Sequence, residues 1–265
     1  MHTQYLDFNE NTQEGTIRVL DAIGPAVQRT FAELYARRFP INVMQANLQS
    51  DVFLAAAQNE TDLDNTAAFF CRLLTDSASV SMHAYGAAID LNPRENPYLG
   101  VDPTTGSVRN IIPKDGWANI NRMTYRYGKP VPIGRSEGIV DVFARNGILY
   151  WGGYWNFPID YMHFELGREN AMLLLATSPD DAKAYFKIYT DFYNSCATRF
   201  PSEYAQHRFL DLTAALDQSG VKALVQYQNN PRAFFNAAMM MKLNAANCVS
   251  TPTVLQENAD EPHWD

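Results

Sequence analysis

Two short, glycine-punctuated aromatic segments, residues 80–92 and 147–166, interrupt a chain whose flanks read as helical. Both suit short strands broken by turns. That places strands in the middle of the chain and helices at either end. Between the two segments, residues 93–135 carry many Pro, Gly and Asn, which predicts a long, partly ordered connection.

Residues 12–38 read as helical, because Ile17, Val19, Leu20, Ile23, Val27, Phe31, Leu34 and Tyr35 mostly recur at helical spacing. Gly24-Pro25 interrupts this run and predicts a kink or two helices. Residues 40–44 look like a short strand and residues 58–65 like a loop. Residues 136–146 suit a helix with Ile139, Val140 and Phe143 inward and Gly147 as its stop. Ser178-Pro179-Asp180-Asp181 starts another: a capping Ser, Pro in the first turn, acids at the positive end of the dipole. Tyr185, Phe186, Tyr189, Phe192 and Tyr193 then form an aromatic stripe that reads as core. Further helices are expected at residues 203–216, 221–228 and 232–245. The acidic, Pro-containing tail, 249–265, is expected to fray. There is no internal repeat.

The 265 residues are 46% hydrophobic, enough for a sizeable core, and the formal net charge is −8. That charge argues against a nucleic-acid binder, which needs a basic face, and against adhesion to an anionic surface by charge alone. No apolar run reaches the roughly 18–20 residues of a membrane span. Met1 to Tyr5 shows no basic flank leading into an apolar core, so no signal peptide is read there. Cys71, Cys196 and Cys248 form neither a disulfide framework nor a CxxC site. They read as three buried thiols, with a Cys196–Cys248 bridge as the alternative in an exported chain.

Chemistry concentrates in the two strand segments. His83 and His163 are two of only five histidines, and Asp90 and Asp160 lie close to them in sequence. Two imidazoles and one carboxylate make a three-ligand set for catalytic zinc, leaving a position open for water. A further carboxylate must take the water's proton. Asp160 fills that place only if the chain bends before His163, since a regular strand puts positions 160 and 163 on opposite faces; Pro158 makes a turn credible. Residue by residue, plainer readings stand beside this one. His83 reads as a half-buried structural histidine, Asp90 as a turn starter, and His163 with Glu165 as a surface pair.

Ser81-x-His83-x-x-Gly86-x-Ala88-x-Asp90, with Asp160-x-x-His163-Phe164-Glu165 downstream, resembles the M15 metallopeptidases, the D-alanyl-D-alanine carboxypeptidases and their L-alanyl-D-glutamate endopeptidase relatives. Asn65-Thr66-x-Ala68-Phe69-x-Cys71-Arg72, Asn92-Pro93-x-x-Asn96-Pro97-Tyr98 and Trp151-Gly152-Gly153 extend the likeness, which covers roughly residues 15–168. The resemblance implies an α+β fold, a small antiparallel sheet with flanking helices. It implies Zn2+ held by His83, Asp90 and His163, with Asp160 as general base and Arg72 gripping a substrate carboxylate or the oxyanion. It also implies that Ser81 and Glu165 orient a histidine and that Tyr85, Trp151 and Trp155 line the cleft.

The substrate implied is the peptidoglycan stem peptide, and the site of action the periplasm or the cell exterior. Asp at position 160, where the carboxypeptidases commonly carry Glu, tilts the expectation to the L-alanyl-D-glutamate endopeptidases, with the D-alanyl-D-alanine carboxypeptidase as alternative. A catalytically silent wall-binding protein and a toxin delivered into rival cells are the competing readings. Domains are expected at 1–168 (peptidase), 169–248 (helical extension) and 249–265 (tail). The extension departs from the family pattern and offers a surface for a protein partner, a lid or a docking module; the plainer reading is that its helices complete the core.

Overall fold

A computed structural model describes residues 1–46, 63–73, 79–123, 127–130, 132–205, 209–218, 220, 222–230, 233–234, 237–238 and 245–249. Most of the helix expected at 232–245, nearly all of the expected tail, and residues 58–62 of the expected loop lie outside these.

The fold is α+β, as the resemblance implied: small antiparallel sheets with helices packed around them. Strands β1 (His2–Leu6) and β2 (Thr12–Thr16) form an N-terminal hairpin. Here the sequence reading is corrected. Residues 12–16 are strand, and the helix α1 begins only at Gly24–Ala36, after a 3-10 turn at Asp21–Ile23. Gly24-Pro25 is therefore a start, not a kink: Pro lacks the N–H that a first turn leaves unpaired anyway. α1 buries Ala26, Val27, Thr30, Phe31 and Leu34, one face at helical spacing. The strand expected at 40–44 is reduced to two isolated bridges, Leu6 with Pro40 and Val43 with Asn65.

The middle of the chain supplies two three-stranded sheets. In one, β3 (Ala88–Asp90) and β6 (Tyr150–Trp151) flank β8 (His163–Glu165); in the other, β5 (Val108–Ile112) and β7 (Ile159–Asp160) flank β4 (Tyr98–Val101). The long connection expected at 93–135 thus hides a hairpin, β4–β5. Strand alternation sorts β8: Phe164 is fully buried and stacked on Phe143 at 3.9 Å, so His163 and Glu165 must leave by the opposite face.

Phe143 belongs to α2 (Val140–Arg145), which stops near Gly147 at φ +89°. Only glycine fits there: an added Cβ would stand 2.5 Å from Thr190 Oγ1 and 2.7 Å from the Phe186 ring. Those two residues sit on α4 (Pro179–Arg199), which follows α3 (Arg168–Ala176) and is capped by Ser178 accepting from the Asp181 N–H. The aromatic stripe Tyr185, Phe186, Tyr189, Phe192 and Tyr193 is buried in the same continuous apolar core as Phe31, Phe143 and Phe164. The chain continues through α5 (Pro201–Ala205), α6 (Leu212–Gln218), α7 (Ala223–Asn229) and α8 (Ala245–Cys248). Cys196 and Cys248 are buried and joined by a disulfide, whereas Cys71 is free and exposed, so the reading of three buried thiols does not hold. Among the described residues no helix is long and apolar enough to cross a membrane.

Candidate metal centre

His83 sits in a 3-10 turn, Met82–Tyr85, built by its neighbours. Ser81 caps the turn by accepting the His83 N–H at 3.3 Å. Gly86 closes it at φ +63°, where a Cβ would lie 2.7 Å from the Leu20 nitrogen. Ser81 therefore orients His83 through the backbone rather than through the imidazole. Asp90 ends β3 directly opposite His163 in β8, so the pleat delivers both side chains to one face.

Three donor atoms converge. His83 Nε2 lies 3.1 Å from His163 Nδ1, and Asp90 Oδ1 lies 3.1 Å from His163 Nδ1 and 3.2 Å from His83 Nε2. A tetrahedral zinc with bonds near 2.0 Å separates its ligand atoms by about 3.3 Å. The donor set thus fits zinc in both chemistry and spacing. All three residues are buried, and among the described residues they form the one such cluster of His, Cys, Asp or Glu.

Each imidazole is tied down on its far side. His83 Nδ1 donates to the Ala68 carbonyl at 2.7 Å, which leaves Nε2 for the centre. His163 Nε2 meets Glu165 Oε2 at 2.9 Å, which leaves Nδ1. Such partners fix tautomer and ring orientation.

Asp160 reaches the same place from the second sheet. β7 pairs with β4, Asp160 opposite Tyr98, and the chain then turns through Tyr161 and Met162 into β8. The bend that the spacing demanded is present and pinned. The Tyr161 carbonyl accepts from Ser136 Oγ at 2.7 Å and from Trp151 Nε1 at 2.8 Å, while Arg122 lies 4.4 Å over the Tyr161 ring. Gly152 gives Asp160 room, since a Cβ there would stand 2.6 Å from the Asp160 carbonyl and 2.9 Å from its Cβ. Asp160 Oδ1 is out of reach of solvent and has no hydrogen-bond partner. Burial, then the charge of Asp90, push its carboxyl up to about 7.

The remaining candidates fall in different places. The Arg72 guanidinium bonds the Leu73 carbonyl at 3.2 Å, and its charge acts on both His83 and Asp160. The Trp155 ring stands 5.3 Å from the His163 ring. Tyr85 is half-buried and packs against the core, and Trp151, 5% exposed, is part of it. Sequence reasoning missed the Ala68 carbonyl and the Ser136 hydroxyl, neither of which carries a signal in residue type or spacing.

Charges at the centre are interlocked. Burial opposes ionisation of Asp90, but the charges and hydrogen bonds of His83 and His163 hold it well below the usual carboxylate range. Burial pushes His83 down, against the pull of Asp90. Burial opposes a charge on His163 too, yet hydrogen bonds to Asp90 and Glu165 carry it up to about 10. Without metal at neutral pH, a proton therefore sits on His163 Nδ1, where an ion would bind. Its raised pKa means the proton is held below about pH 10 and must leave when the metal enters. We expect zinc uptake at pH 7 to release at least one proton, and affinity to fall about tenfold per pH unit as the pH drops. Calorimetry in two buffers of different ionisation enthalpy measures this; zero release would mean that His163 is neutral in the metal-free protein.

Residues 75–166 match the model of a family described as D-alanyl-D-alanine carboxypeptidase, one of the M15 peptidases. No significant match was found among curated proteins or among solved structures. The matched third of the chain holds His83, Asp90, Asp160 and His163, and stops short of Arg72. The match over residues 75–166 supports an M15 peptidase, and the His83, Asp90 and His163 cluster within it could hold a metal ion.

Proposed function

We propose that this chain is a zinc-dependent peptidase of peptidoglycan stem peptides and that it cuts the L-alanyl-D-glutamate bond. The observation that carries the reading is the Asp160 carboxylate, whose Oδ1 is shut off from solvent and without a hydrogen-bond partner, beside a donor triad spaced for zinc. His83, Asp90 and His163 would hold the ion. Zinc bound there supplies a Lewis acid that polarises a carbonyl and acidifies water near neutral pH. Asp160 Oδ1 takes the proton that the attacking water gives up and returns it to the departing amine. Having no other partner, it is free to do both. Glu165 and the Ala68 carbonyl keep the imidazoles aligned throughout. Arg72 offers its charge to a free carboxylate of the substrate.

The choice of bond rests on Asp rather than Glu at position 160. A second reading, removal of the terminal D-Ala, is favoured by the description of the matched family. Both substrates place a free carboxylate beside the scissile bond, so Arg72 serves either. The Cys196–Cys248 disulfide supports residence in an oxidising compartment, the periplasm or the cell exterior.

Digestion of purified muropeptides by the zinc-loaded protein, read by mass spectrometry, separates the readings. Release of disaccharide-L-Ala is the expected result. Loss of a single D-Ala would establish the carboxypeptidase instead, and intact stems with zinc in place would point to a silent binding protein.

A further inference from the structure

One buried contact ties the helices after residue 168 to the strand beside the metal centre. Tyr150 in β6 lies directly across from Glu165 in β8, so their side chains leave the sheet on the same face. The Tyr150 ring is held in place by Gly167, where a Cβ would come within 2.7 Å of the ring and the backbone stands at φ +77°. The Tyr150 hydroxyl donates to Asp211 Oδ2 at 2.5 Å. Asp211 is 7% exposed; its Oδ1 accepts the Ala214 N–H at 2.8 Å at the start of α6, and Tyr189 of α4 also reaches Oδ2, at 3.5 Å. Tyr150 thus stands between two carboxylates and spends its only donor on the one from the helical region. Glu165 remains available to His163 Nε2 at 2.9 Å.

We propose that Tyr150 and Asp211 are positioning residues for His163. The C-terminal helices hold Tyr150 through Asp211, Tyr150 confines the Glu165 carboxylate, and Glu165 sets the imidazole that faces the centre. The inference rests on the reading of His163 as a metal ligand, and it makes the helical extension part of the peptidase. Removing the hydroxyl breaks the tie to Asp211, so the ring is no longer held in place and confines the Glu165 carboxylate less tightly against His163.

The test uses the full chain with Tyr150→Phe and Asp211→Asn. Zinc affinity is measured by chelator competition on folded protein, where each variant is expected to bind about tenfold more weakly, the low end for partners of metal ligands. Turnover should fall while KM stays unchanged. A readout independent of metal is the nitrogen-bound proton of His163 Nε2, observed by NMR in the metal-free protein; both variants are expected to shift or broaden it. A purely structural role would lower thermal stability and leave the affinity of the folded protein and this resonance unmoved, which would overturn the proposal. Wild-type protein that binds no zinc would instead sink the peptidase reading, and the His163 resonance would still decide whether Tyr150 and Asp211 position the ring.

Discussion

Replacing Asp160 with Ala is expected to lower turnover of the stem peptide at least about a hundredfold while leaving zinc bound, the scale for loss of a general base. The two halves of this result come from separate features of the site. Metal is retained because Asp160 lies outside the triad of His83, Asp90 and His163, whose atoms already stand at ligand spacing. Turnover falls because no other described carboxylate at the centre is free. Glu165 is committed to His163, and Asp90 to both histidines. Stability should change little, since the carboxylate loses only its hydrogen bond from the Met162 N–H, while its burial and the Asp90 charge act against it. Asp160→Asn keeps the shape and removes the basicity, and should behave alike. Metal content by emission spectroscopy, together with kcat on a defined muropeptide, checks both variants. Full activity in either one would place the base elsewhere.

The convergence of the candidate metal ligands was legible in the sequence because they lie on local motifs. His83 and Asp90 sit seven positions apart, on a turn and the strand it feeds; Asp160 and His163 sit on either side of one bend. In each case the residue types, the glycines and the strand-like context lie within a dozen positions. What makes these residues work is not local. Trp151 looked like a cleft aromatic, yet its indole holds the Tyr161 carbonyl, a contact that depends on how two sheets meet. Ser136 reaches the same carbonyl across 25 positions, and Asp211 reaches Tyr150 across 61. Periodicity failed at residues 12–23, where apolar residues suit either a helix or a strand edge. The deciding factor was hairpin pairing with His2–Leu6. The helical extension showed the opposite balance: its elements were visible in the Ser178 cap and the aromatic stripe, but nothing in them announced that they would share a core with the sheet that carries His163.

The second large effect is expected from the Cys196–Cys248 bridge. It joins the end of α4 to α8 across a sequence separation of 52, and in the chain-entropy account closing such a loop stabilises the fold by about 4 kcal/mol. Cys248 also offers its carbonyl to the Leu210 N–H at 3.0 Å and to the Tyr204 hydroxyl at 3.3 Å, so the bridge anchors the stretch leading directly to Asp211. The double substitution Cys196→Ser, Cys248→Ser should lower the urea midpoint by a shift corresponding to that energy. Exposed Cys71 should make no difference when changed to Ser. Reducing agent should reproduce the double variant in the wild type and have no effect on the variant itself. Because the loop carries Asp211, zinc affinity should weaken together with stability, linking the bridge to the orientation of His163. Unchanged stability on reduction would mean that the helices hold this region without the bond, and would remove the disulfide as support for an oxidising compartment.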